Sequence, residues 1–251
     1  MSTVLPRLRT RLALSVGTLL LSVVVCGAQT DPIDGQTTPA PADSSETGER
    51  FHWGPALAQS GFLLAIQNSM RMLQEKTRDH LGGPFWHDYV ESVQGLHGWD
   101  DGNPWPTNYL GHPMMGAIAG FIQVQNDPHG KTLEWDPHNR QYWTSRLKGL
   151  AWATGYSTTF ELSPIGEAGI GNVGQDPGTA AWVDLIVTPL AGFGLMILED
   201  YVDAHIIKRV EQGKSPLKAR FLRVLMNPDR GLANMMRLER PSHRDTRPSP
   251  P

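Results

Sequence analysis

The stretch AAWVDLIVTPLAGFGLMIL, residues 180–198, carries a single charge, Asp184, in 19 positions. A helix needs about 20 apolar residues to cross a bilayer, so this run is long enough to span one. It is equally able to be the buried helix of a soluble bundle, because hydropathy at this length does not separate the two. Asp184, Thr188 and Pro189 all fall in its first half, where a lipid-facing span would not place them. Two architectures therefore stay open: a soluble helical bundle, or one that enters or lies against a membrane.

Outward from this run the periodicity is helical. Leu57, Phe62, Leu63, Ile66, Met70 and Leu73 recur at helical spacing and predict a helix over residues 55–78. Gly82-Gly83-Pro84 ends it, and residues 85–96 make a short second helix. Residues 98–106, GWDDGNPWP, are turn chemistry with two tryptophans. A third helix covers residues 109–124 and a fourth residues 137–160. Five glycines between Gly166 and Gly178 mark an irregular segment. The long apolar helix runs from Thr179 to about Gln212. Ser215 as N-cap and Pro216 at the first helical position then open an amphipathic helix to Met226. Its basic stretch from Lys214 to Arg223 either packs on the bundle or lies on an anionic membrane surface. A last short helix reaches Leu238. No segment sustains an alternation of period two, so the expected fold class is all-α, a bundle of about five to seven helices.

The N-terminus reads as an export signal. Arg7, Arg9 and Arg11 precede an apolar stretch, Leu12 to Val25, and Cys26 and Ala28 supply small residues before a cut ahead of Gln29. Lipidation at Cys26 is the second reading, set back by the bulky Val25 before it. Cys26 is the only cysteine, so the cleaved chain has neither disulfide nor thiolate site. The expected organisation is a signal peptide over 1–28, a flexible linker over 29–50, a helical domain over 51–239 and a disordered, charged, proline-rich tail over 240–251. Export places the chain in the cell envelope, in the periplasm or at a membrane. A net charge of -3 with mixed signs excludes a nucleic-acid surface, and no protein partner is indicated. Eight tryptophans fit either core and rim positions or a membrane interface.

Four ionisable residues stand in apolar or glycine-rich context at element boundaries: His112, Glu161, Glu167 and Asp184. His112 opens the third helix with Pro113 behind it, Glu161 closes the fourth, and Asp184 sits in the first turn of the long helix. The plain reading makes His112 a cap, Asp184 a match to the helix dipole and Glu161 a solvated end. The sharper reading packs the three helices together, so that one imidazole and two or three carboxylates bind a divalent metal or run acid–base chemistry. Neither a particular metal nor a cofactor follows from the spacing. No metalloprotease, nucleophile-elbow, phosphate-loop or dinucleotide fingerprint is present. The run Glu199, Asp200, Asp203 and His205 reads as the wet end of the long helix, with Lys208 and Arg209 matching its dipole.

One pattern joins these positions: Asn108, Tyr109, Gly111, His112 and Pro113; Ser157, Phe160 and Glu161; Glu167; then Asp184-Leu-Ile-x-Thr188-Pro189 and Gly192. In order and spacing, over about residues 55–210, it resembles the uncharacterised bacterial envelope family catalogued as domain of unknown function 3943. More distantly it resembles VanZ-like and YfiM-type helical envelope proteins. Phe160 stands where that family usually has tryptophan, and Ala181 where it usually has serine. The resemblance implies no reaction. It implies an envelope location and a polar cluster in which His112, Glu161 and Asp184 act together, with Asn108, Glu167 and Thr188 around them. Such a cluster, once buried, is either functional or a device for specific helix packing.

Overall fold

The structure, a computed structural model, describes residues 50–251 apart from 80, 172, 213–215 and 248–251. The signal peptide and linker expected over residues 1–49, and the expected cap at Ser215, lie outside the described residues. The fold is an all-α bundle. Its elements are α1 (Trp53–Arg71), the single turn α2 (Glu75–Arg78), α3 (Phe85–Gln94), α4 (His112–Asn126), α5 (Arg140–Leu162), α6 (Trp182–Val202), the single turn α7 (Lys208–Glu211), α8 (Pro216–Met226) and α9 (Pro228–Met236). Two π-helical turns, Thr107–Gly111 and Asp203–Ile207, lead into α4 and out of α6. Among the described residues there is no β-strand.

The centre of the bundle is α4, not the long apolar helix. Its residues Pro113 and Gly116 through Asn126 are all buried. It is clasped by α5 and α6, with α1 and α9 packed outside. Glycine makes this clasp close. A methyl built on Gly116 would collide with the carbonyl oxygen of Thr188, and one on Gly192 would lie 2.7 Å from the Ala117 nitrogen. At Gly120 the space is taken instead by the Met196 side chain of α6. The Gly116-x-x-x-Gly120 spacing thus brings α6 against α4 at backbone distance. Phe121, Ile118 and Ile122 of α4 fill the core with Leu63, Phe160 and Met196.

α6 with its continuation, Trp182–Glu211, is long enough to cross a membrane and contains an 18-residue window apolar enough to do so, with a mean hydropathy of 1.6. It buries one face on α4 and α5 and leaves Ile186, Leu190 and Leu198 exposed.

Three expectations are corrected. The helix expected over residues 55–78 stops at Arg71, whose guanidinium turns inward to Glu167, and resumes only as α2. The expected wet end of the long helix is dry. Glu199, Asp200 and Asp203 are buried, because arginines arrive from other elements to pair with them. The tail expected to be disordered is docked as far as Arg247. Arg244 is buried, its Nε donating to Asp203 at 3.0 Å, and Arg247 binds Asp203, Glu134 and Glu211. The sequence offered no hydrophobic anchor there. Ion pairing with an acidic pocket replaces it.

Candidate functional site

The π-helical turn Thr107–Gly111 fixes where His112 stands. The backbone is already helical at Gly111, so His112 lies inside a continuous helical path and is not the residue that caps it. π-turns of this kind shift helix register and are frequent at functional sites. Here the imidazole, only 12 % exposed, points between α5 and α6. Its Nδ1 lies 3.3 Å from Thr188 Oγ1 and 3.9 Å from Glu161 Oε1, and its Nε2 lies 3.6 Å from Asp184 Oδ1. One donor atom from each of His112, Glu161 and Asp184 falls within 4.8 Å of the other two. The two imidazole–carboxylate separations exceed hydrogen-bond length. They start from opposite ring nitrogens, so a shared cation would take one nitrogen only, within the 4.8 Å that encloses one donor atom of each residue.

Each carboxylate is placed by its own element. Asp184 is in the first turn of α6, where the dipole suits it, and Ser157 Oγ of α5 donates to its carbonyl oxygen at 3.2 Å. Ala181, at the N-cap, supplies no side-chain acceptor. Pro189, lacking an N–H, leaves the Leu185 carbonyl without its helical donor and loosens α6 beside the site. Glu161 sits at the C-terminal end of α5, the negative end of the dipole, where a carboxylate is disfavoured. The turn that follows folds back on it. Ala168 N–H donates to the Glu161 carbonyl, and Gly166 is required because any Cβ would collide with the Phe160 and Thr159 carbonyls. This turn carries Glu167 alongside, and its Oε1 lies 2.6 Å from Arg71 Nε.

Glu161 feels Glu167, Asp184 and, farther off, Asp101, against Arg71. Burial first, and then repulsion from Glu167 and Asp184, pushes the Glu161 carboxyl well above its usual range. Its Oε1 is buried with no hydrogen-bond partner. A donor set of one imidazole nitrogen and carboxylate oxygens suits a divalent ion such as zinc or manganese. The cavity bordered by Glu161, Glu167 and Ser92 has room for about one water molecule.

The sequence-predicted residues separate into two groups. His112, Glu161, Asp184 and Thr188 meet, and Glu167 stands next to them through Arg71. Asn108 does not reach the imidazole. It is buried and donates to Asp101 Oδ1 at 2.6 Å, holding the 98–106 loop. Sequence reasoning missed Arg71, the cluster's nearest fixed cation, because it reads as an ordinary basic residue ending a helix. It also missed a surface triad on α3, His87, Asp88 and Glu91, which is solvated and comes from one helix. Compared with protein-family models, curated proteins and solved structures, the chain matches none.

Proposed function

We propose that this chain is an exported helical protein of the bacterial cell envelope, held at a membrane, whose His112, Glu161 and Asp184 bind a divalent cation that ties α4, α5 and α6 together. The observation that carries the reading is the convergence of one donor atom from each of three helices, all within 4.8 Å of one another. A cation there would offset the surplus carboxylate charge, with Thr188 and Ser157 steadying the imidazole side and the α6 turn. Metal binding to the folded state alone raises stability by mass action. The export signal and the order of the Gly-His-Pro and Asp-Leu-Ile-x-Thr-Pro blocks support the envelope setting.

A second reading makes the cluster the centre of an envelope enzyme acting on a lipid or glycan. The raised Glu161 carboxyl beside an imidazole favours it, since an acid kept protonated near a base is an acid–base pair. The near-complete burial of all three groups favours the tie, because an enzyme's acid and base must be reached by the lipid or sugar.

The test is metal content and metal-dependent thermal shift of the mature chain, wild type beside His112→Ala. A stoichiometric divalent ion that raises the melting temperature in the wild type and is lost in the variant is the expected result. Absence of metal from the wild type, with no shift on adding zinc or manganese, overturns the cation site.

A further inference from the structure

The helix α8 is built inside out. It buries Arg223, 1 % exposed, whose Nε donates to Glu211 at 2.6 Å and whose Nη1 donates to the Ser242 carbonyl. Its large apolar side chains face outward instead: Leu217 is 76 % exposed, Phe221 63 %, Val224 45 % and Leu225 60 %. At about 100° per residue these four fall within an arc of about 100° on one side of the helix. Lys218 lies about 20° beyond one edge of that arc and Arg220 about 40° beyond the other. Ala219 and Arg223 lie on the opposite side and pack inward. The helix contains no acidic residue from Pro216 to Met226.

We propose that α8 is the surface by which this protein sits on an anionic lipid membrane, lying in the plane of the interface with Leu217, Phe221, Val224 and Leu225 among the acyl chains. The inference rests on the membrane setting proposed above and assigns the part of the chain that makes the contact. Charge selects the occupant. The exposed Lys218 flanks the apolar arc as a cation flanks the buried face of an interfacial helix, its stem over the apolar edge and its head at the level of phosphate. A second copy packed on the same face in a two-fold dimer would set the same cations of both chains beside each other, with no carboxylate in the helix to meet them. The burial of Arg223 fits the same assignment: its ion pair fixes the roll of α8, so the apolar arc has no other way to turn than outward.

The experiment is co-sedimentation of the mature chain with phosphatidylcholine vesicles, with and without phosphatidylglycerol, at low and high salt. The expected result is binding to the anionic vesicles that weakens with salt. The double variant Leu217→Ser/Phe221→Ser should weaken binding at least about tenfold, and Lys218→Glu about fivefold or more. Thermal stability should not move in either, since these side chains bury nothing in the fold. Cys26 is the only cysteine and is removed with the signal peptide, so an environment-sensitive dye on Phe221→Cys reports the same contact and should shift to the blue on anionic vesicles. If the wild type binds vesicles and both variants bind equally well, the membrane setting stands and the assignment of α8 falls. If the wild type binds no vesicle, both fall. If the variants instead abolish a concentration-dependent dimer, the face belongs to a second copy and the proposal is overturned.

Discussion

The two ends of α6 hold charge in opposite ways. At its C-terminal end Arg146 donates to Asp200 at 2.7 Å, Arg230 binds the other Asp200 oxygen, and Arg244 and Arg247 close on Asp203. Tyr142 adds its hydroxyl to Asp200 at 2.8 Å. Every carboxylate named there meets a guanidinium directly. About 24 Å away along the helix, Asp184 shares its surroundings with two glutamates, one arginine and an imidazole held at 3.6 Å. Buried charge is tolerated when it is paired. At the first end guanidinium groups do the pairing, and at the second three carboxylates are gathered around one imidazole and Arg71. The difference is between a clamp built of matched ion pairs and a cluster in which carboxylates raise one another's cost.

The contrast can be broken at its strongest point. Asp200→Ala removes the acceptor of Arg146, Arg230 and Tyr142 together and leaves buried guanidinium unpaired. The expected loss is about 3–5 kcal/mol in denaturant unfolding, while the metal-dependent shift of the surviving folded protein persists. If the shift disappears as well, the two ends are not independent.

Gly116→Ala acts on the joint between α4 and α6. The added methyl must displace the Thr188 carbonyl, and with it the hydroxyl beside His112. An overpacking loss of about 1–3 kcal/mol is expected, this time together with weakened metal stabilisation. A variant as stable as the wild type would show that the helices are not in backbone contact.

Acidity distinguishes a third feature. The Glu199 carboxylate of α6 accepts the N–H groups of Asp229 and Arg230 and so caps α9 from another helix. Burial nevertheless raises Glu199 to about 7, and burial with repulsion from Glu199 raises Asp229 to about 8. Folded-state values above the unfolded ones mean a contribution fully present below the unfolded range near pH 4 and lost as pH rises through about 7 and 8. Asp203 runs the other way. Although burial opposes it, Arg244, Arg230 and Arg247 hold it below its usual range, so its contribution is lost on acidification. The expected outcome in Glu199→Gln is a melting temperature that falls less between pH 5 and 8 than in the wild type, by the equivalent of about 1–2 kcal/mol. Parallel profiles would remove Glu199 from the linkage.

The smallest effect belongs to the surface. Lys148, 58 % exposed, pairs with Asp127 at 3.2 Å, and Lys148→Ala should change stability by less than about 1 kcal/mol. A larger loss would mean that the pair orders the turn at residues 127–132 rather than decorating it.

What could be read in the sequence follows the range of the forces involved. Helical periodicity is local, so the helices were legible, as was the convergence of His112, Glu161 and Asp184 once three helices were assumed to pack. Burial of Glu199, Asp200 and Asp203 was not, because it depends on arginines 41 to 54 positions away in the chain or on Arg230 of α9. Arg71 was invisible for the same reason, its partner Glu167 lying across an irregular turn. Asn108 joins the imidazole in the family pattern, but it lies in the π-turn and its side chain goes to Asp101.

The docking of Arg244 and Arg247 also has a consequence in time. Asp203 and Glu134 emerge from the ribosome long before the side chains that neutralise them. Until residues 244–247 follow, the bundle lacks the strap that closes its acidic end. The final structure is therefore reached only once nearly the whole chain has been made, and a product cut short before Arg244 would keep its acidic end open.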